Sequence, residues 1–403
     1  MTTNLKNILH IAPTPFFSDR GCHIRIEGEV RCLGKAGYAN TVCTYHHGRD
    51  VANVVTKRIK TIPAYTQTAA GPSKYKLLAD WRLLWLVFQQ YRKLKPISLH
   101  AHLHEGLLIG LIVKVLFFWR RTPLIADLQG SLAGELETHG IFKKRPYLKW
   151  PVTQLEKFLM WWATHIVCSN SHTVEKVVDE FGINADKVSL SQDGADPLPK
   201  VAKQTVKELL DHYQIDSRNN LPLKTIAVYS GALLNSKGLN ELKHLLLDGL
   251  NQNTELHFLI IGYPTENLSS FLDEHNLSAH CTLTGQIDFK ELPSYLSMAS
   301  IAIDPKNSDA GEGSGKMLNY LAAGLPVVAF DTLNNREFMP VNTELARSNE
   351  DLSRILLKLA QNKDLRAETA AANLKQFEER YSWDITQQQL EAVYARLLEK
   401  SKA

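Results

Sequence analysis

The feature that most constrains the fold is a regular alternation of short apolar segments with longer segments of helical periodicity. It begins at the predicted strand Asn7–Ala12 and is interrupted once, at Asp193–Val201, where two prolines stand. Such alternation is typical of parallel sheets built from strand–helix–strand units. A chain of 403 residues also exceeds what one hydrophobic core normally holds. We therefore predict an α/β protein made of two doubly wound domains.

The predicted strands fall into two sets, one on each side of the proline-containing break. They are Asn7–Ala12, Asn40–Tyr45, Ser98–Ala101, Leu124–Leu128, His165–Cys168 and Lys187–Leu190, then Thr225–Tyr229, Glu255–Ile260, Thr282–Leu283, Ile301–Ile303 and Pro326–Ala329. The predicted helices are Ile24–Lys35, Tyr75–Lys93, Glu105–Trp119, Leu148–Ala163 and Ser171–Phe181, then Leu239–Leu247, Leu268–His275, Phe289–Met298 and Gly315–Ala322. After Leu352 only helices are predicted, the first with a capping box at Ser348 and Asp351. For two such domains we predict a ligand cleft at the carboxyl ends of their strands.

A glycine-rich turn runs directly into a helix at Gly311–Asp331, GEGSGKMLNYLAAGLPVVAFD. Glycines let the backbone approach a ligand closely, and the amides of a first helical turn have no intrahelical partner. With the helix dipole, these amides favour a phosphate. Glu312 stands where it could bind hydroxyl groups beside that phosphate, and a phosphate next to a polyol suggests a nucleotide sugar. Packing of a strand–turn–helix unit alone is the other interpretation.

Two better-known phosphate motifs do not fit this chain. In a nucleoside-triphosphate P-loop ending at Lys316, the first glycine would be Ala310 and the magnesium ligand would be Met317. The glycine fingerprint of nicotinamide-binding folds is also missing after Ile8–Ala12.

Other glycine turns are expected at strand ends. They contain Gly21, Gly231 and Gly262, and Lys237 precedes a helix just after the second of these turns. Lys237 is well placed to meet phosphate as a point charge, although a solvated turn lysine is equally plausible when it is considered alone. Combined with the turn at residues 311–316, the phosphate interpretation is favoured.

The cysteines and the N-terminus bear on the compartment. Five scattered cysteines, an odd number without any C-x-x-C pair, argue for a reducing compartment and against disulfides or structural zinc. The apolar segment Ile8–Ala12 is too short for the core of a signal peptide, so we expect a cytoplasmic protein.

Charge is distributed unevenly between the two halves of the chain. Residues 1–200 contain 26 Lys and Arg against 16 Asp and Glu, whereas the rest contains 20 against 26. The excess of basic residues in the first half is either a chance distribution of surface charges or a surface that contacts an anionic one, such as the inner leaflet of the plasma membrane. Basic residues at Lys143–Arg145 and Arg120–Arg121 stand near Phe117–Trp119 and Trp161–Trp162. The apolar run Leu107–Trp119 is about half the length of a membrane span, so we expect a buried helix there.

Several segments in register resemble the retaining glycosyltransferases of family 4, which have the GT-B fold of two Rossmann-like domains. The segments are SDRGCHIRI, SLHAHLHEG, SQDGAD, SGALLNSKGL, FLIIG, LTGQIDFKELPSYLSMASIAIDP, EGSGKMLNYLAAGLPVV and YSWDITQQQLEAVY. The resemblance covers nearly the whole chain. It implies an N-terminal acceptor-side domain at residues 1–196 and a C-terminal donor-binding domain at 197–383. A last helix, at about 384–403, would pack back on the first domain.

The resemblance also implies roles for individual residues in transferring a sugar from a nucleotide-diphosphate sugar, a UDP- or GDP-sugar above all, to a hydroxyl. The expected catalytic residues are Glu312, Lys237, His102 and Asp127. The expected donor and phosphate contacts are Gly21, Gly231, Lys237, Gly262, Gly313, Ser314, Gly315, Lys316, Met317 and Asn319. The expected acceptor-side residues are His23, His104, Glu105 and Gln129. The implied acceptor is a saccharide or a lipid-linked hydroxyl in surface polysaccharide or glycolipid synthesis, with no metal and no nucleic acid.

Three positions depart from the family pattern. Asn319 stands where the family usually has a ribose-binding glutamate, Ala232 replaces an arginine, and Gln129 replaces a histidine. These changes leave open a non-catalytic subunit with the same fold, and nucleotide-sugar epimerases share that fold as well. His100, His102 and His104 would share one face of a strand and could hold a metal, but the resemblance favours polar contacts at a strand end.

Overall fold

The computed structural model describes residues 6–18, 21–66, 74–138, 140–215, 225–253, 255–308 and 315–400. These residues form two compact units. The first contains the described residues up to Gly194 together with those from Trp383 onward, and the second contains those from Ala195 to Ser382.

Twelve strands and sixteen α-helices make up the described chain. The strands are β1 (Asn7–Ala12), β2 (Ala39–Thr44), β3 (Val55–Arg58), β4 (Ser98–His102), β5 (Leu124–Leu128), β6 (His165–Cys168), β7 (Val188–Leu190), β8 (Thr225–Ser230), β9 (Leu256–Ile261), β10 (Cys281–Gly285), β11 (Ile301–Asp304) and β12 (Val327–Ala329). The helices of the first half are α1 (Gly21–Lys35), α2 (Lys76–Leu94), α3 (Leu103–Leu116), α4 (Leu132–Thr138), α5 (Ile141–Lys144), α6 (Lys149–Trp162) and α7 (Ser171–Glu175). The remaining helices are α8 (Lys203–His212), α9 (Leu239–Gln252), α10 (Glu266–Glu274), α11 (Leu292–Leu296), α12 (Gly315–Ala322), α13 (Leu333–Phe338), α14 (Asn349–Gln361), α15 (Lys363–Arg380) and α16 (Trp383–Lys400).

Each unit contains one parallel sheet, as predicted. The first sheet has the order β3-β2-β1-β4-β5-β6-β7 and the second β10-β9-β8-β11-β12. All strand pairings in both are parallel. The order of the strands reverses between β1 and β4 in the first sheet, and between β8 and β11 in the second. Ligands of doubly wound folds bind where the order reverses, at the carboxyl ends of those strands.

The strands of the first sheet are buried on both faces, which explains their nearly continuous apolar sequences. On β1, Leu9 and Ile11 pack into a core with α2, α3 and α6, while Ile8 faces a second core with α1 and α16. His10 lies on the same side of the strand as Ile8 because side chains alternate along it. The polar residues of this sheet are therefore concentrated on the side covered by α1 and α16.

The last helix, α16, belongs to the first unit, and Trp383 at its start fits between two glycines of that unit. A Cβ atom added at Gly28 would lie 2.0 Å from the Trp383 ring, and one at Gly194 would lie 2.8 Å from it. Trp383 is buried in the core shared by α1 and α16. The two glycines thus leave the space that the indole ring fills.

Helix α3 confirms the predicted buried helix in its first part only, because the helix ends at Leu116, and Phe118 and Trp119, at the end of the predicted run, are exposed. Leu107 and Val113 have no exposed surface, whereas Val115 and Leu116 at the end of the helix are half exposed. Across the described part of the chain, no helix combines the length and the apolar character needed to cross a membrane.

Most predicted elements are confirmed within a few residues, and the differences have local causes. Strand β3 is missing from the prediction because it is a short edge strand with Lys57 and Arg58 in place of an apolar run. The predicted helix Phe289–Met298 divides into a 3₁₀ turn and α11, where Pro293 stands in the first turn. The predicted cap of α14 is confirmed, since the Ser348 side chain accepts a hydrogen bond from the Asp351 amide.

Candidate functional site

Three loops of the second unit meet at the carboxyl ends of β8, β9 and β11, where glycines permit close backbone approach. A Cβ atom at Gly262 would lie 1.8 Å from the Gly231 carbonyl oxygen. A Cβ atom at Gly238 would lie 2.2 Å from the Pro305 carbonyl oxygen, and Gly238 also has a left-handed φ of 89°. Glycine is therefore required at two of these contacts, and they surround the reversal point of the second sheet.

A buried ion pair occupies this reversal point. Lys316 Nζ lies 2.9 Å from Asp304 Oδ1 and 4.5 Å from the centre of the Tyr229 ring. Asp304 is 1% exposed, and its Oδ2 atom has no hydrogen-bond partner among the described residues. Lys316 keeps 11% of its side chain exposed. The pair thus holds an ammonium group at the carboxyl end of the sheet, with some access to solvent.

Helix α12 directs its first turn toward the same strand ends. Its position is fixed by Tyr320, whose hydroxyl accepts a hydrogen bond of 2.8 Å from the Ser230 amide at the end of β8. Gly315, Lys316 and Met317 form the first turn, so their amides have no partner within the helix. The Met317 side chain is fully buried, which leaves only its backbone to meet a ligand. An anion is the natural ligand of such a turn.

The other predicted donor residues are distributed around this helix. Lys237 is exposed, at the end of a 3₁₀ turn that leads into α9, and within the described chain it has no ion-pair partner. Asn319 is half-buried on α12, with its Nδ2 atom 3.5 Å from the Gly315 carbonyl oxygen. Glu312, Gly313 and Ser314 lie outside the described residues.

The acceptor-side predictions lead to a buried polar network in the first unit. His102 and Asp127, at the ends of β4 and β5, are joined by a 2.8 Å contact between Nδ1 and Oδ2. His10 Nδ1 lies 3.0 Å from His102 Nε2, and Gln129 donates a hydrogen bond of 3.1 Å to Asp127. His10, His102 and Asp127 have no exposed surface, and Gln129 is 5% exposed.

Arg25 of α1 supplies the positive charge of this network. Its guanidinium group donates to Asp127 Oδ1 at 2.7 and 2.9 Å and lies 2.9 Å from Glu29 Oε1. Burial alone would raise the pKa of Asp127, but Arg25 and the hydrogen bond of His102 hold that pKa well below its usual range. Burial, together with the neighbouring histidines, lowers the pKa of His10 and of His102. The network therefore holds an ionised aspartate beside neutral histidines.

The histidines do not form the set that the sequence suggested. His100 and His102 share a face of β4, and with Glu29 and Asp127 they offer four potential ligand atoms within 4.8 Å of one another. The Arg25 guanidinium lies 2.9 Å from Glu29 and 2.7 Å from Asp127. Its positive charge would repel a metal ion held by these residues, which disfavours a second cation there. The expectation that His104 shares that face is wrong, because β4 ends at His102 and the chain turns at Leu103, with a φ of 60°.

The remaining acceptor-side candidates lie near the reversal point of the first sheet. His104 Nε2 lies 3.3 Å from Glu156 Oε1, and Glu105, in the same turn of α3, forms an ion pair with Lys76. His23 is buried in α1, where its two ring nitrogens contact the loop after β1 at Thr14 and Ser18. Gly21, a predicted donor contact, is the first residue of α1 and belongs to the first unit.

Several residues of these sites were missed from the sequence. Asp304 had a detectable signal, since an aspartate that ends an apolar strand directly before Pro305 is unusual. Arg25 and Glu29 had a weaker one, as an i,i+4 charge pair on a helix face that is otherwise apolar. Tyr320 had none, because a tyrosine inside an apolar helix predicts core packing.

Comparisons with known proteins place both units in one class of enzymes. Residues 214–376 match the family model described as glycosyl transferases group 1, and residues 20–191 match the model described as glycosyl transferase 4-like domain. A search of curated protein sequences gave no significant match.

Solved structures share the fold over nearly their whole length. HepE from Anabaena, in complex with UDP, is 15% identical, with 97% of this chain and 100% of HepE covered at a TM-score of 0.74. Sucrose-phosphate synthase from Thermosynechococcus elongatus is 15% identical, with 98% and 100% covered at a TM-score of 0.79. WaaG, a glycosyltransferase involved in lipopolysaccharide biosynthesis, is 9% identical, with 94% and 98% covered at a TM-score of 0.69. At these identities the likeness establishes the fold, and with both family matches it shows that the chain belongs to the group 1 glycosyltransferases of family 4, with the GT-B fold.

Proposed function

We propose that this glycosyltransferase moves a sugar from a nucleotide-diphosphate sugar to a hydroxyl group with retention of the anomeric configuration. The observation that carries the proposal is the ammonium group of Lys316 at the reversal point of the second sheet, beside first-turn amides of α12 that have no partner within the helix. A diphosphate needs positive charge and amide donors of this kind. UDP is the favoured nucleotide, because HepE, with the same fold, was solved in complex with UDP.

The donor side would act mainly by stabilising the leaving diphosphate. When the bond between the anomeric carbon and the phosphate oxygen breaks, negative charge develops on that oxygen. The exposed Lys237, Lys316 and the amides of Ser314–Met317 would stabilise it. Asp304 would hold Lys316 in place by its ion pair. It would leave the positive charge of the second lysine, Lys237, available to the diphosphate. Glu312 is assigned to the sugar hydroxyls and Asn319 to the ribose by their places in the motif.

Retention would proceed without a carboxylate nucleophile. The acceptor oxygen would form its bond to the anomeric carbon on the face that the diphosphate leaves, and the acceptor proton would pass to the departing phosphate oxygen. No metal ion enters this scheme, since the lysines and amides supply the positive charge. The paired carboxylates of glycosidases have no role in it.

The acceptor side would be built by the first unit around the ends of β1 and β4. His23, His104, Glu105 and Gln129 are the proposed contacts of a saccharide or lipid-linked hydroxyl. For His102 and Asp127 we propose a positioning role in place of direct catalysis, because both lack exposed surface. They would orient Gln129, which donates a hydrogen bond to Asp127.

Surface polysaccharide or glycolipid synthesis is the proposed setting, in the cytoplasm and in contact with the inner leaflet. Its support is the basic first half of the chain and the presence of WaaG, a protein of lipopolysaccharide biosynthesis, among the similar structures.

A thermal-shift series with UDP, GDP, ADP, dTDP and CMP tests the donor site. A nucleotide that binds only the folded protein raises its melting temperature according to its concentration relative to its dissociation constant. We expect one nucleotide to stabilise the wild type, and Lys237→Ala and Lys316→Ala to reduce its effect. Lys363→Ala, which removes an exposed lysine from the start of α15, is the matched control.

The same thermal-shift series tests the two alternative functions that share this fold, a non-catalytic subunit and a nucleotide-sugar epimerase. A non-catalytic subunit predicts no stabilisation by any of these nucleotides. An epimerase predicts stabilisation, but it would convert the nucleotide sugar without needing an acceptor.

A further inference from the structure

Six of the seven tryptophans are exposed on one side of the first unit, with 44% to 72% of each side chain accessible. They stand on α2, on α6 and in the turn that follows α3. They are Trp81, Trp85, Trp119, Trp150, Trp161 and Trp162. We call this surface the tryptophan face; it comprises these tryptophans, the outer sides of α2, α3 and α6, and the exposed residues 143–147 of α5 and the turn that leads into α6. Tryptophan is rarely so accessible, because its ring is large and mostly apolar.

The three helices of the tryptophan face are already fully packed on their inner sides. Leu83 of α2, Leu107 of α3 and Leu159 of α6 are buried in the same core against the first sheet. The outward aromatic residues therefore add nothing to that core. On α2, Trp81 and Trp85 are four residues apart, which places them on one outward stripe.

Aromatic contacts connect the helices into one continuous surface. Trp85 stacks on Phe88 at 5.5 Å, Phe88 contacts Phe117 at 5.3 Å, and Phe117 contacts Trp119 at 5.5 Å. Lys114 of α3 then donates a hydrogen bond of 3.3 Å to the Trp162 carbonyl oxygen at the end of α6. The exposed rings therefore extend from α2 across α3 to α6.

The charge of the tryptophan face is almost entirely positive. Residues 74–95, 103–121 and 141–162 contain fourteen lysines and arginines and three acidic residues. Asp80 accepts a hydrogen bond from Tyr45, Glu105 pairs with Lys76, and the buried Glu156 accepts one from the Leu132 amide. All three acidic groups are thus engaged within the unit. Glu137 at the margin pairs with Lys149.

From this chemistry we infer that the tryptophan face docks on a bilayer rich in anionic phospholipids. Tryptophan is enriched at the level of lipid headgroups, and surrounding lysines and arginines are attracted by anionic lipid. A second copy of this chain would bring like charges together, which disfavours self-association. The inference deepens the inner-leaflet contact of the proposed function and names the surface and the lipid chemistry.

Co-sedimentation with vesicles tests the inference directly. Vesicles of phosphatidylglycerol and phosphatidylcholine in equal parts should bind the full-length protein, and pure phosphatidylcholine vesicles should bind it far less. Binding should weaken as salt is added. Tryptophan fluorescence should shift to shorter wavelength with anionic vesicles only, because the exposed rings leave water.

Two sets of variants locate the contact. Replacing Lys143, Lys144 and Arg145 by alanine should weaken vesicle binding on the order of 100-fold, since each charge near an anionic surface contributes roughly a factor of five. Trp150→Ser with Trp161→Ser should weaken it about tenfold per ring. The control replaces three exposed lysines of the second unit by alanine, at Lys290, Lys363 and Lys375, and should bind like the wild type.

The outcomes separate this inference from the proposed function. Equal binding by the control and by the variants of the tryptophan face would overturn the inference. So would concentration-dependent self-association, lost in the Trp150→Ser and Trp161→Ser variant, without binding to vesicles. Nucleotide-dependent thermal stabilisation is the separate readout for the donor site, and the variants of the tryptophan face should retain it.

Discussion

Replacing Arg25 by methionine should destabilise the first unit strongly, because it leaves two buried carboxylates without their cation. Arg25 is 1% exposed, while Asp127 and Glu29 have no exposed surface. Methionine keeps the aliphatic stem of the side chain but removes the hydrogen bonds to Asp127 and Asp193 and the contact with Glu29. Removing one partner of a buried ion pair typically costs about 3–5 kcal/mol. For a unit of this size, that corresponds to a fall in melting temperature of roughly 6 to 20 °C.

Urea unfolding followed by tryptophan fluorescence measures this loss selectively. All seven tryptophans lie in the first unit, so the signal reports on that unit alone. The matched control is Lys35→Met on the same helix, where the side chain is 55% exposed. That control should change stability by less than about 0.5 kcal/mol.

A second substitution tests the electrostatic reason for the loss. Asp127→Asn added to Arg25→Met removes one uncompensated charge and should recover part of the stability. A loss below about 1 kcal/mol for Arg25→Met, or no recovery in the double variant, would refute the reasoning, since the carboxylates would then not depend on Arg25.

Three further predictions follow from the packing of both units. Burial lowers the pKa values of His10 and His102 below 6.5, so the unfolded chain binds more protons as pH falls through 6.5. The free energy of unfolding should therefore decrease below pH 6.5, by up to about 1.4 kcal/mol per pH unit for each histidine, and the melting temperature should decrease with it. His10→Asn should reduce this pH dependence. Gly238→Ala should lower the free energy of unfolding by about 2–4 kcal/mol, because of the left-handed φ of this residue and the clash of a Cβ atom with Pro305. It should also weaken nucleotide binding measured by titration calorimetry. An unchanged affinity would contradict the assigned site. Trp383→Ala should lower the free energy of unfolding by about 3–5 kcal/mol and make α16 sensitive to limited proteolysis. Full resistance of α16 to the protease would show that the Trp383 ring does not hold this helix in place.

Much of the fold could be predicted from the sequence, because parallel strands buried on both faces have continuous apolar sequences. The predicted bounds of Leu124–Leu128 and His165–Cys168 are identical to those observed. The α/β class, the GT-B fold and the family are confirmed. The edge strand Val55–Arg58 was missed because three of its four residues are polar and none of the four is buried, so the apolar pattern of the other strands is lacking.

The sites could be predicted only where the signal is local. The turn that leads into α12 could be identified because glycines and a helix start are adjacent in the chain. Pairings between distant residues could not be predicted, since Arg25 and Asp127 are 102 residues apart and the local sequence around either residue does not indicate its partner. The pairing of Lys316 with Asp304 was missed for the same reason, although each residue stands out in its local sequence. The separation of His104 from the other histidines depends on the backbone turn at Leu103, which the alternation along a strand does not predict.

Proton NMR of the sugar released from the stabilising nucleotide sugar tests the central claim most directly. With water as the acceptor, a retaining glycosyltransferase should release the nucleoside diphosphate and, at the earliest times, a sugar with the anomeric configuration of the donor. Lys316→Ala should slow this release, whereas Lys363→Ala should not. Release of the opposite anomer, epimerisation with the bond to phosphate intact, or no turnover of any nucleotide sugar would contradict the account.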